Sequence, residues 1–323
     1  MSCDPHHKKA KKLDFKGVKL SSLYDQLPLV SLDLFGKPAK AAKSFKAFID
    51  SLPDLQGAKD LRIAARAIAR AARAKRSIML SMEGLPIELG LGPALVDLME
   101  KGILTSISTN GSALVHDIEV ALVGATSQEL EGSIAEAKLK VTAETGHLIN
   151  LAATNALSSG KGLGYEAGKL LKELSPPNAK ISVLVSAYKN GLPFTVHLAL
   201  GTDIFNIHPE ADGAALGKAS LDDFTAFCEL VANLEEGVFI NLGSTVVMPE
   251  VFLKALSLTC NLRISHKGLT TINMNFISQY IDQVNFIEQC SHNLGTKINL
   301  TGHLEIMFPL LMTLALDYLK SGD

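Results

Sequence analysis

The stretch ILTSISTNGSALVHDIEVAL, residues 103–122, decides the fold that we predict for this chain. It opens with a short apolar run at 103–108, passes through the small polar turn TNGS, and continues into a helical pattern at 114–123. A short apolar run that leads through a tight turn directly into a helix is the repeating unit of parallel α/β sheets.

The same alternation continues on both sides of this stretch. Predicted strands lie at 77–82, 103–108, 181–186, 193–198, 238–242, 269–274 and 297–301. Predicted helices lie at 92–101, 114–123, 164–174, 221–233, 249–258 and 305–320. The strands lack strict alternation of apolar and polar residues, which is typical of strands covered on both faces. We therefore predict a doubly wound, mostly parallel α/β sheet of the Rossmann-like type, with helices on both faces.

The chain divides into three predicted parts. Residues 1–38 lack periodicity and are predicted to form an N-terminal arm, and residues 39–76 form a helical segment broken near Pro53. Residues 77–323 form an α/β domain of the nucleotide-binding type, and we expect the helical segment to belong to the same globular unit.

Composition excludes several classes of protein. The net charge of −2 gives no field that would recruit nucleic acid or a membrane surface. The apolar runs are too short to cross a bilayer, and the sequence opens without the pattern of a secretory signal. Four cysteines without paired spacing argue against a disulfide framework and against a metal site. These features predict a cytoplasmic protein with no metal.

Four arginines follow a helical spacing. Arg62, Arg66, Arg70 and Arg73 fall on one helical face at intervals of four, four and three residues. The pattern favours a solvated or subunit-facing helix, and a site for a polyanion is the alternative.

Ligands of doubly wound sheets bind beyond the carboxyl ends of the strands, so the junctions after strands are the candidate sites. In TNGSALVHD, residues 109–117, backbone amides and a helix amino terminus can approach a phosphate or ribose. His116 and Asp117 are functional there, or His116 is a packing residue and Asp117 only complements the helix dipole.

Two further junctions carry polar residues. In LGSTVVMPE, residues 242–250, Gly243 and Ser244 form either an anion cradle or a plain loop. In GTDIFNIH, residues 201–208, Asp203 and His208 hold a cation or relay a proton, or the segment is an ordinary solvated loop.

Taken in order, four segments resemble deoxyhypusine synthase. They are HLEIMFPLLMTLALDYL at 303–319, SAYKNGLPF at 186–194, INLGSTVV at 240–247 and ISTNGSALVHDIEVAL at 107–122. The ordered matches extend from about residue 77 to 319. That family consists of NAD-dependent transferases, usually homotetramers, which oxidise spermidine, hold its butylamine unit on a lysine as an imine, and pass it to a protein lysine.

The resemblance implies a set of site residues. Those carried over as contacts of the NAD cofactor are Thr109, Asn110, Gly111, Gly243 and Ser244. Asp203 matches an acidic residue that holds the polyamine amine, His116 replaces an acidic residue, and Asp117 is kept.

The chain departs from the family at the nucleophile. The family's lysine lies in a Trp-Gly-Lys segment, whereas this chain has no tryptophan and the corresponding residues 281–289 include no lysine. Lys297 matches a structural lysine of a strand. Because imine formation requires an amine, we expect an enzyme that keeps an NAD-type pocket and has lost lysine-based transfer. His116, Asp117 and Asp203 would move protons on an amine or polyamine-like small molecule.

Two alternatives remain open. The first is a non-catalytic oligomeric scaffold or ligand sensor on the same fold. The second is a hydrolase of a guanidino or amide compound, in which His116 polarises water. In each case we expect a homo-oligomer, either a dimer or a tetramer, that binds a small molecule and neither nucleic acid nor membrane.

Overall fold

The computed structural model describes residues 16, 18–19, 22, 31–38, 44–126, 142–276 and 295–322. Within these residues one sheet of six strands is formed. The strands are β1 (Ile78–Met82), β2 (Ser106–Asn110), β3 (Phe194–His197), β4 (Val238–Leu242), β5 (Thr270–Asn275) and β6 (Lys297–Thr301). Every neighbouring pair is parallel and the order is β3-β2-β1-β4-β5-β6. This order reverses direction between β1 and β4, so the predicted doubly wound, Rossmann-like α/β fold is confirmed.

Helices cover the sheet. They are α1 (Phe45–Ile49), α2 (Gln56–Arg73), α3 (Leu85–Glu88), α4 (Gly92–Glu100), α5 (Gly111–Val123), α6 (Ala143–Ser159), α7 (Leu163–Leu174), α8 (Val183–Lys189), α9 (Gly213–Ala232), α10 (Val247–Asn261) and α11 (Leu304–Ser321). Helix α2 packs on α11 and on β6, so the later part of the predicted helical segment shares the core of the sheet. Most of the predicted N-terminal arm lies outside the described residues, and the threefold division of the chain stays a prediction.

Both faces of the sheet are buried. Successive residues of β1 point to opposite faces, and Leu80 belongs to one apolar cluster whereas Met79 belongs to another. In the second cluster the rings of Phe239 and Phe252 stack with centroids 3.7 Å apart, between the sheet and α10. The absence of apolar–polar alternation in the strand sequences is thereby explained. None of the helices in the described ranges is long and apolar enough to cross a membrane.

One predicted strand is wrong. Residues 181–186 form the end of a 3-10 turn and the start of α8 instead of a strand. Ser182 caps the helix, because its hydroxyl accepts from the Val185 amide at 3.1 Å. Every residue of the run VLVSA is buried, and a fully buried run carries no periodicity that separates helix from strand.

Two further differences concern a helix that was not predicted and the position of a strand. Helix α6 was not predicted, since its buried face consists largely of alanine, glycine and threonine, which give a weak apolar pattern. Strand β2 lies at Ser106–Asn110, later than the predicted 103–108, because Ile103 and Leu104 belong to the turn that follows α4. The later position brings Asn110 to the very end of the strand.

Candidate functional site

The switch point of the sheet lies at the carboxyl ends of β1 and β4. Met82, the last residue of β1, pairs with Leu242 of β4 on one side and with Thr109 of β2 on the other. The segments that follow these three strands therefore emerge side by side at one edge of the sheet. Two of the predicted junctions, after β2 and after β4, meet in this way at the position where doubly wound folds bind ligands.

Hydrogen bonds join the three segments. The Ser244 hydroxyl donates to the Glu83 carboxylate, which connects the loop after β4 to the loop after β1. The Gly84 amide donates to Ser112 Oγ at 3.1 Å, and Ser112 Oγ donates to Asn110 Oδ1 at 2.9 Å. The edge of the cleft is therefore one connected polar network.

The amino terminus of α5 faces this network. Asn110 is its N-cap, and Asn110 Oδ1 accepts from the Ala113 amide at 3.2 Å. The amides of the first helical turn have no acceptor within the helix and carry its positive dipole end. This end of α5 is consequently suited to an oxygen-bearing or anionic group.

Asp203, from the loop after β3, lies directly on this helix end. A Cβ atom built on Gly111 would lie 2.5 Å from the Asp203 carboxyl carbon, so only glycine permits the approach. Asp203 Oδ2 accepts from the Ala199 amide at 2.8 Å. Burial raises the pKa of this half-buried carboxyl from 3.8 to about 6, and the Ala199 bond lowers it by a smaller amount. The third predicted junction thus joins the first through Asp203 and Gly111.

His116 lies one turn into α5 between two carboxylates. Its Nε2 is 2.8 Å from Glu88 Oε1, and its Nδ1 is 3.1 Å from Glu119 Oε2. The side chain is 12% exposed, and the imidazole also packs on Gly84, where a Cβ would lie 2.8 Å from His116 Cδ2. His116 therefore borders the loop after β1, close to the predicted cleft.

Asp117 points to the interior. Its carboxylate accepts from the Ser182 hydroxyl at 2.6 Å and from the amides of Val183 and Leu184 at 2.8 and 3.0 Å. Burial raises the pKa of the Asp117 carboxyl, and the three donors oppose this rise. These three hydrogen bonds attach the start of α8 to α5, so Asp117 stabilises the packing of the two helices. Its predicted part in proton transfer stays a prediction.

Two predicted cofactor contacts also have buried side chains. Thr109 is 0% exposed within β2, and Ser244 is 1% exposed with its hydroxyl bonded to Glu83 and to the Met248 amide. In this conformation a ligand would meet the main chain near these residues and not their hydroxyl groups. Gly243 has the left-handed φ of +77° and is covered by Leu304, so a glycine is favoured there to turn the chain, and its contact with NAD stays a prediction.

Sequence reasoning missed three residues of the network. Glu83 follows a strand directly and precedes Gly84 and the proline that opens α3, which is a junction signal equal to the others. Ser112 lies inside a quoted motif but was given no role. Asn241 holds the loop after β4, because its Nδ2 donates to the Ser244 carbonyl at 2.7 Å and to Asn273 Oδ1 at 2.8 Å.

The remaining predictions fall elsewhere. Residues 281–289, where the family's lysine would lie, are outside the described residues. Lys297 is the first residue of β6, at the opposite edge of the sheet from the cleft. His208 contacts α6, where a Cβ on Gly146 would lie 2.5 Å from its Cδ2. Among the described residues no group of three His, Cys, Asp or Glu side chains is placed to hold a metal ion.

Comparison with solved structures identifies proteins of the same fold. No family model and no curated protein matches the sequence. A candidate deoxyhypusine synthase from Entamoeba histolytica is similar over 85% of this chain and 93% of its own, with 15% identity and a TM-score of 0.52. Unliganded AgrE is similar over 82% of this chain and 34% of its own, with 12% identity and a TM-score of 0.53.

AgrE is also known in a ternary complex with ornithine and NAD⁺, to which this chain is 12% identical with a TM-score of 0.51. This chain spans about a third of the length of AgrE, since it covers 34% of that protein. At these identities the likeness establishes a shared fold. The resemblance to deoxyhypusine synthase that the sequence indicated is therefore confirmed in the fold.

Proposed function

We propose that the chain binds NAD or a related dinucleotide at the switch point and acts on a cationic amine. The observation that carries the proposal is the convergence of Asn110, Glu83 and Gly243 at the carboxyl edge of a sheet with the order β3-β2-β1-β4-β5-β6. Sheets with this order bind dinucleotides in the crevice at that edge.

The residues at this edge fit a nucleotide. The first-turn amides of α5 other than that of Ala113, which Asn110 caps, suit phosphate oxygens, and the Glu83 carboxylate is an acceptor for ribose hydroxyls. Gly84 and Gly111 have no room for a Cβ because Ser112, His116 and Asp203 pack directly on them, which brings these polar side chains close to the main chain at this edge. Bound NAD would supply a hydride acceptor.

A cationic amine fits the acidic side of the cleft. Asp203 carries a carboxylate whose pKa is about 6, so near neutral pH it is mostly charged and still able to take up a proton. Asp203 would hold an ammonium group or accept its proton, and His116 would move a proton between its two carboxylate partners and the substrate. Lysine-based transfer is not part of the proposal, because residues 281–289 include no lysine.

Calorimetric titration with NAD tests the cofactor. Wild-type protein should bind NAD saturably, and Gly111→Ala should weaken binding by about tenfold or more, because the new methyl displaces Asp203 across the start of α5. Gly213→Ala is the matched control, since Gly213 also begins a helix and a Cβ there meets nothing within 4 Å. Absence of heat and of thermal stabilisation by NAD in the wild-type protein would refute the proposal.

Turnover distinguishes the candidate functions. Incubation with spermidine and NAD should produce NADH, whereas addition of the acceptor protein should give no deoxyhypusine. A sensor or scaffold would bind NAD or spermidine without product. A guanidino or amide hydrolase would release product without NAD and lose this activity in His116→Ala.

We also propose that the protein works as a homo-oligomer, a dimer or tetramer, in the cytoplasm. The support is the resemblance to deoxyhypusine synthase, whose members usually form homotetramers. Sedimentation of the purified chain would decide this, and a single monomeric species at micromolar concentration would contradict it.

A further inference from the structure

A cavity lined by arginines lies at the edge of the sheet opposite to the proposed dinucleotide cleft. Its volume is about 360 Å³, and it lies between α2 and the amino-terminal ends of β5 and β6. The polar lining residues are Arg66, Arg70, Arg73, Thr270 and Thr296, and the apolar ones are Ile63 and Ala67. Strand β5 alone separates this edge from the carboxyl edge by roughly 17 Å, so the cavity is independent of the proposed dinucleotide cleft.

Within the described residues, the three arginines of this cavity have no acidic partner. In the part of the chain that the structure describes, no carboxylate lies within ion-pair distance of Arg66, Arg70 or Arg73. Neighbouring arginines behave differently. Arg62 of the same helix pairs with Asp54 at 3.3 Å, and Arg76, just beyond the helix, pairs with Glu236. Among the arginines of α2, those without an acidic partner in the described structure are the three that line the cavity.

Tyr318 of α11 holds two of the three arginines in place. The Arg66 guanidinium lies over the Tyr318 ring, 5.1 Å from its centroid, and Arg73 Nη2 donates to the Tyr318 carbonyl at 3.0 Å. Tyr318 is itself buried, with 4% exposure. Two guanidinium groups are thus fixed before any ligand arrives, which reduces the entropy lost on binding. Arg70 lies between them on the helix and has no such contact in the described structure.

Helix electrostatics alone does not account for this arrangement. Arg70 and Arg73 lie in the last turn of α2, where cations complement the helix dipole. That effect requires neither a cavity nor a third arginine one turn earlier, and the structure has both. Several guanidinium groups gathered at one cavity are the chemistry that recognises phosphate oxygens.

We propose that this cavity binds a small phosphate-bearing molecule with several negative charges. A nucleic acid is disfavoured, since the chain has a net charge of −2 and the basic groups form a pocket of limited size. The apolar floor formed by Ile63 and Ala67 suits the organic part of such a ligand. The site is separate from the proposed function and does not depend on it.

Titration with inorganic pyrophosphate tests the site. Wild-type protein should bind pyrophosphate saturably, with an affinity that falls as salt concentration rises. Arg70→Gln should weaken binding by about tenfold or more, because Arg70 lines the cavity and, of the three exposed arginines there, is the one with no contact to lose within the described structure. Lys59→Gln is the matched control. It removes one positive charge from an exposed position on the same helix outside the cavity, and should change affinity less than twofold.

Four outcomes would overturn the proposal. One is the absence of saturable binding to the wild-type protein. Another is equal weakening by Arg70→Gln and Lys59→Gln, which would indicate diffuse attraction. If Arg70→Gln bound pyrophosphate as tightly as the wild type, pyrophosphate would bind at another site, such as the dinucleotide cleft. Conversion of an oligomer into a smaller species by Arg70→Gln, measured by sedimentation without ligand, would identify the arginine face as a subunit contact instead.

Discussion

Replacing Asp203 by asparagine tests whether the charged carboxylate at the cleft lowers the free energy of unfolding. Asp203 lies on the amino-terminal end of α5 beside Gly111, and within the described structure its carboxylate accepts one hydrogen bond, from the Ala199 amide. Asparagine has the same shape and can still accept from that amide. The substitution therefore removes the charge and leaves the packing in place.

The expected gain in stability follows from the pKa of Asp203. Folding raises this pKa from 3.8 to about 6, so the folded protein binds the proton more tightly than the unfolded chain does. Each pH unit corresponds to about 1.4 kcal/mol, which would give about 3 kcal/mol in a fully enclosed site. Because the side chain is partly exposed, we discount this to about 1.5 kcal/mol.

The sign of the effect sets the pH dependence. Wild-type protein loses this stabilisation as the pH rises from about 4 to about 6, since the folded state must then carry a poorly solvated charge. Asp203→Asn does not titrate. The free energy of unfolding of the variant should therefore exceed that of the wild type by about 1.5 kcal/mol at pH 8 and by almost nothing at pH 3.5.

Urea denaturation at several pH values, together with spermidine titration, checks this prediction. Asp203→Asn should be more stable than wild type at pH 8 and should bind spermidine at least about tenfold more weakly. Asp97→Asn is the control, because Asp97 is exposed and its partner is the equally exposed Lys101, and it should change stability by less than about 0.5 kcal/mol. If Asp203→Asn were less stable than the wild type at pH 8, the argument that the buried charge of Asp203 lowers stability would be refuted. Unchanged spermidine binding would remove Asp203 from the substrate site.

Three further predictions concern stability. Asp117→Ala should lower the free energy of unfolding in urea by about 3 kcal/mol, because the buried amides of Val183 and Leu184 lose their acceptor; a loss below about 1 kcal/mol would contradict this. Gly243→Ala should cost about 1–3 kcal/mol by thermal denaturation, since φ is +77° and the new methyl would lie 2.6 Å from a Leu304 carbon; unchanged stability would show that the loop relaxes freely. Asn110→Ala should cost about 1 kcal/mol and speed amide exchange in the first turn of α5, and unaltered exchange there would exclude its capping role.

The sequence by itself determined the class of the fold and the position of its edge. Apolar runs followed by small polar turns and helical patterns require parallel strands covered on both faces, and parallel strands place all their carboxyl ends together. The junctions after β2, β3 and β4 could therefore be singled out as candidate sites before any coordinates. The four segments that resemble deoxyhypusine synthase occur in the same order as in that family. The similarity of fold to a candidate deoxyhypusine synthase supports this resemblance.

Tertiary structure alone decided which polar residues face the cleft. Asp117 and His116 are neighbours in sequence, yet Asp117 accepts bonds from residues 65 to 67 positions away and His116 borders the cleft. The buried run at 183–187 became a helix because Ser182 and Asp117 supplied its terminal acceptors. The direction of these side chains and the start of this helix depend on hydrogen bonds between segments distant in sequence. Local patterns of hydrophobicity do not predict which distant donor or acceptor will lie nearby.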